Sequence, residues 1–204
     1  MLKQRLAAIG ALAVVATLAA GCADQSAALR VGGDTYSDDD LRDELDAYAG
    51  NDALWGEAGG QSVDAIRGEL ESSYDQQFVS QILQQRVSFM LGERIFDDEG
   101  LELTDDRRES AQEVLEQQFG GALEGFPDSY RERFVEDVAR MIALEDELGP
   151  EGLNAALIRA AGSTNIDVSS HYGRWDGERN TVVPPEGPAP PPIDAADPTD
   201  PFGG

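Results

Sequence analysis

The chain has 204 residues, with 15 Lys and Arg against 40 Asp and Glu, for a formal charge of −25. Such an acid excess excludes a protein that wraps nucleic acid, because each phosphate contact needs a cation. Hydrophobic residues at 41% and charged residues at 27% allow one packed core, and a single cysteine, Cys22, rules out a disulfide framework.

From the N-terminus, Lys3 and Arg5 precede an apolar stretch from Leu6 to Ala20 that ends in Leu18-Ala19-Ala20-Gly21-Cys22. A cationic start, an apolar run and small residues at its end are the parts of an export signal. The run is too short and too Ala-rich for a comfortable membrane span. It resembles a bacterial lipoprotein signal, in which the cysteine is acylated and becomes the new N-terminus, although Ala19 stands where leucine is usual. Residues 1–21 are therefore expected to be signal peptide, Cys22 the lipidation site and 22–27 a tether to the extracytoplasmic face of a cell membrane. The chain beyond residue 21 carries 13 arginines and 40 acids, a net −27.

The folded part is expected at 28–183 as one mainly α domain with a small sheet. Ala28–Val31, Gly32-Gly33 and Asp34–Tyr36 read as two short strands around a turn. Ser37 caps a helix from Asp38 to about Ala49, with acids in its first turn and Leu41, Leu45 and Tyr48 on one edge. Asn51–Gly60 reads as a loop pinned by Trp55. The stretch Val63–Asp98 reads as mainly helical and central, since Phe78, Ile82, Phe89 and Phe96 share one edge, Val79, Leu83 and Met90 a second, and Val87, Leu91 and Ile95 continue the arc. That leaves a narrow polar strip of Gln81, Gln85, Ser88 and Gly92. Thr104 caps a helix to about Phe119 with Ala111, Val114, Leu115 and Phe119 inward. Ser129 and Glu132 suggest a capping box opening a helix to about Leu148, with Tyr130, Phe134, Val138, Met141, Ile142 and Leu148 on its packed side. Gly149-Pro150 stops it, and Leu153–Ala161 forms a shorter helix. Ile166, Val168 and Val182-Val183 are the remaining strand candidates, so the two ends of the domain are expected to meet in one small sheet. Eight of the ten prolines fall between Pro184 and Pro201, and 184–204 reads as a disordered Pro/Asp-rich tail.

The order Val31-Gly32-Gly33-Asp34-Thr35-Tyr36-Ser37-Asp38-Asp39-Asp40-Leu41 resembles the opening of the SurA-like chaperone domain that begins extracytoplasmic foldases, PrsA-like lipoproteins among them. Gly32 and Tyr36 depart from the family's usual Asn-Gly turn and aliphatic residue before the cap. Val168, Tyr172-Gly173, Trp175 and Val182-Val183-Pro184-Pro185 look like the closing segment of envelope lipoproteins with this domain. The motifs cover the two ends, about a quarter of the folded part. Foldases of this family often carry a parvulin prolyl isomerase domain after the helices. Here only the 17 residues from Gly149 to Asn165 separate the last long helix from the closing segment, too few for a domain of about 50. The resemblance implies a non-enzymatic holdase for exported, unfolded or partly folded proteins, with no cofactor. The other reading is an envelope scaffold with one specific protein partner. A transporter's substrate-binding lipoprotein fits less well, because strands and helices do not alternate.

Candidate sites are few. His171, in Ser169-Ser170-His171-Tyr172, is the one histidine and lacks a strand-Ser-helix context, so it reads as a turn residue rather than a catalytic base. Neither Asp34–Leu45 nor Asp97–Arg108 follows the calcium-loop alternation, and Gly56–Gly60 and Gly120-Gly121 lack the Lys and Ser/Thr of a phosphate loop. Phe78, Phe89, Met90, Phe134 and Met141 are the candidates for a client groove, since flexible Met and aromatic side chains suit promiscuous binding, although their helical spacing favours core.

Overall fold

The computed structural model describes residues 26–55, 62–68 and 73–186. The signal, Cys22, the whole Gly56–Gly60 stretch and most of the tail lie outside these residues. The described chain is mainly helical, with a small antiparallel sheet built from its two ends.

Strands β1 (Ala27–Val31) and β2 (Asp34–Ser37) form the expected hairpin, with Val31 opposite Asp34 across the Gly32-Gly33 turn. Gly32 has φ 64°, a conformation that glycine adopts without a Cβ penalty, and its N–H donates to the Asn165 carbonyl at 2.8 Å. Helix α1 (Asp38–Ala49) starts at a full capping box: the Asp40 N–H donates to Ser37 Oγ, and the Ser37 N–H donates to the Asp40 carboxylate. Where a continuous loop was expected, Asp52–Trp55 makes one helical turn, α2. Trp55 does pin this region, its Nε1–H donating to the Tyr48 carbonyl at 2.6 Å.

The central helix, α3 (Gln76–Asp98), begins later than expected, at the Asp75 cap. Residues 63–65 form only a 3-10 turn, and Arg67 and Tyr74 face each other in an isolated bridge. Val79, Ile82, Leu83, Val87, Leu91 and Phe96 are buried on several sides of α3, as a central helix requires. Gly92 does not belong to a polar strip. A Cβ there would come within 2.6 Å of the Met141 sulfur, so its lack of a side chain brings α3 close to the last helix. Helix α4 (Asp105–Phe119) is capped by Thr104 and buries Ala111 and Leu115, but Val114 is 45% exposed because α4 packs through a narrow strip only.

Helix α5 (Asp128–Ser163) is capped by Pro127 with no side-chain bond, so the Ser129–Glu132 capping box does not form. The helix starts before Ser129, with Asp128 paired to Arg131 at 2.6 Å and the Arg131 N–H on the Pro127 carbonyl. Gly149, at φ 71° and ψ 164°, breaks α5 before Pro150, as the dipeptide predicts, and a second arm runs on to Ser163.

β3 (Ile166–Val168) returns to pair antiparallel with β1, Leu29 opposite Val168, giving the strand order β2-β1-β3. The ends thus meet as expected, but not in a single sheet. β4 (Arg174–Asp176), unread in the sequence, pairs with β5 (Thr181–Val183) in a separate hairpin. That hairpin is held on α3 by Gln84, whose Oε1 accepts from the Val182 N–H at 2.8 Å and whose Nε2 donates to the Asn180 carbonyl at 3.2 Å. Tyr172 and Trp175 pack against the sheet-side core and stay half-buried.

Candidate functional site

The five candidate client-binding residues do not share one face. Phe134 is 2% exposed and lies in a core cluster with Leu115, Leu123, Phe126 and Tyr130. Phe89 meets the Phe134 ring edge-on at 6.1 Å and is half-buried against the same cluster. Phe78 and Met90 pack on the sheet-side core instead, and Met141 packs on a third cluster around Phe96 and Leu144. Helical spacing thus distributes them among three cores, and among the described residues they form no shared aromatic groove. Among the described residues the exposed large apolar side chains are Val114 and Ile158. His171 sits exposed in the turn before β4, as the turn reading expects.

The most distinctive arrangement is a buried charge network that sequence reasoning missed. Glu44 of α1, Arg86 of α3 and Asp137 of α5 are each nine-tenths or more buried. Arg86 donates from Nε to Glu44 Oε2 at 2.6 Å and from Nη1 to Asp137 Oδ2 at 2.6 Å. Glu44 also accepts from the Tyr36 hydroxyl at 2.7 Å, and Asp137 receives a weaker contact from Arg140 at 3.4 Å. The Arg86 guanidinium lies 5.5 Å from the Tyr36 ring centroid and 5.6 Å from that of Phe89. One cation therefore ties three helices and β2 together beside the aromatic cluster. Burial works against the charge of Arg86, but Glu44 and Asp137 outweigh it and hold its pKa above the ordinary value. Burial pushes the Asp137 carboxyl upward, more than Arg86, Arg140 and Arg133 pull it down. Tyr36 and Tyr130 are raised too, first by burial and then by the Glu44 charge.

Next to this network a cleft of about 360 Å³ opens between α1 and the start of α5. Asp43, Asp46 and Ala47 form one wall, and Pro127, Tyr130 and Arg133 form the other. Arg133 reaches Glu44 at 3.5 Å and lies over the Tyr130 ring, so the inner wall of the cleft is continuous with the buried ions. Asp43 and Asp46 are exposed, and Asp46 accepts a hydrogen bond from the Tyr74 hydroxyl.

Among the described residues no group of three or more His, Cys, Asp or Glu is arranged to hold a metal, and no helix is long and apolar enough to cross a membrane. Comparison with known proteins gives no match: no family model, no curated protein and no solved structure is significantly similar to the chain.

Proposed function

We propose that this protein is a membrane-anchored, extracytoplasmic lipoprotein of SurA-like chaperone-domain type that binds exported polypeptides without isomerase chemistry. The observation that carries the reading is the return of β3 onto β1. It supports the reading by pairing the closing strand with the opening hairpin, the two ends of the domain that carry the motifs. The stretch between Gly149 and β3, which in such foldases can hold an isomerase domain, is spanned here by the second arm of α5. Cys22 supplies the anchor.

A second reading, an envelope scaffold with one specific partner, is favoured by the sparse exposed apolar surface of the described body. A promiscuous holdase needs accessible apolar area, and here the aromatic side chains are largely spent on core. Site-specific photocrosslinking from Asp43 in the cleft, in a tethered copy at native level, separates the two. Many unrelated exported chains support the holdase, one stoichiometric partner supports the scaffold, and no polypeptide adduct refutes both. Replacing Cys22 with Ala is expected to release the protein from the membrane or leave it unprocessed. Unchanged lipid labelling and membrane retention would overturn the anchor.

A further inference from the structure

We infer that the body stands end-on to the membrane, its sheet end against the bilayer and its cleft facing the aqueous compartment. This rests on the anchoring at Cys22 proposed above. The first described residue, Ser26, is already fixed to the body: its carbonyl accepts from the N–H of Asp38, the first residue of α1, at 3.0 Å. Four residues of chain lead from Cys22 to Ser26, a reach of about 14 Å even when fully extended. The end of the body that carries Ser26 therefore cannot leave the lipid surface by more than that.

The structure identifies what lies at this end. The Ser169 N–H donates to the Ala28 carbonyl at 3.0 Å, and the turn that follows is closed by the Tyr172 N–H on the Ser169 carbonyl at 2.9 Å. The first turn of α1, the start of β1 and the turn bearing His171 thus form the membrane-facing end. From there α1 runs for 12 residues, about 18 Å. At its far end Asn51 donates from Nδ2 to the Ala122 carbonyl at 2.7 Å, fixing the 120–125 turn there. The cleft, with Asp46 and Ala47 on the last turns of α1, belongs to this distal half. The short tether holds the sheet end near the lipid, and the net −27 of the chain beyond residue 21 opposes adhesion of the rest of the body to anionic headgroups. The cleft then faces the aqueous compartment rather than the lipid.

The test uses the full acylated chain in vesicles of zwitterionic and anionic phospholipid that carry a headgroup quencher. A fluorescent amino acid is placed at His171 or at Glu124, both exposed. Several-fold stronger quenching at 171 than at 124 is expected, with the difference lost when a long Gly/Ser insert follows Ala23. Equal quenching at the two positions, or stronger quenching at 124, overturns the orientation. The mass of the purified chain reports separately on acylation. If Cys22 carries no lipid, the anchoring reading fails on its own. The same quenching pair, measured on a chain that begins at Cys22 and is coupled there to a maleimide lipid, still decides the orientation.

Discussion

Replacing Arg86 with methionine keeps most of the apolar stem and removes the cation that joins α1, α3 and α5. Two charge-assisted hydrogen bonds of 2.6 Å disappear with it. Such bonds contribute about 1.5–3 kcal/mol each. The carboxylates they served are left deep in the molecule. Glu44, 1% exposed, keeps the Tyr36 hydroxyl and a 3.5 Å contact with Arg133, whereas among the described residues Asp137 keeps Arg140 at 3.4 Å. Removing one member of a buried ion network typically costs about 3–5 kcal/mol, because a charge is stranded. That is a large share of the about 5–15 kcal/mol that holds a domain together. Urea unfolding followed by circular dichroism should show the loss as a lower midpoint. The variant E44Q/R86M/D137N, with no charge left to strand, should recover more than about 1 kcal/mol of it. A loss below about 1 kcal/mol for R86M, or a triple variant no more stable than R86M, would refute the reasoning. The second result would mean that the guanidinium acts through packing on Tyr36 and Phe89 rather than through charge.

Three further outcomes are expected. Asp137, whose folded pKa lies above the ordinary 3.8 through burial, binds its proton more tightly folded than unfolded; its contribution is full below that ordinary value and is lost as pH rises through the folded pKa. Asp137→Asn should flatten the stability profile over that window, and an unchanged profile by urea titration at several pH values would contradict the assignment. Truncation after Pro185 should leave the melting temperature unchanged. Truncation after Asn165 removes β3, the β4–β5 hairpin and the buried Val168 and Val182, and should unfold or strongly destabilise the domain; equal melting temperatures would show that the closing segment contributes nothing. Gly173→Ala should cost more than an ordinary surface change, since φ is 137° and a Cβ would come within 2.2 Å of the Val183 carbonyl oxygen; a wild-type midpoint in thermal unfolding would argue against that close approach.

What the sequence determined by itself is local. Ser37, Thr104, the Gly32-Gly33 turn and the Gly149-Pro150 break act through the backbone groups of their own neighbours, so the local sequence places them. Apolar periodicity likewise marked α3 as central. The charge network had a faint signal: Glu44 lies between Leu41 and Leu45, Arg86 between Leu83 and Val87, and Asp137 between Phe134 and Val138, each a charge set into an apolar stripe. That pattern shows that something must pair with each charge, but not which partner, because the pairs are 42 and 51 residues apart in the chain. Only the packing of α1, α3 and α5 brings them within 2.6 Å. The division of Phe78, Phe89, Met90, Phe134 and Met141 among three cores was decided in the same way, since helical spacing specifies a face and the neighbouring helix specifies what covers it. Tertiary structure also separated β4–β5 from the terminal sheet: Val182 pairs with Trp175, and Gln84, on a distant helix, holds that hairpin on α3. Burial of charge and long-range pairing depend on which surfaces meet, and that information is distributed over the whole chain rather than held in any one segment.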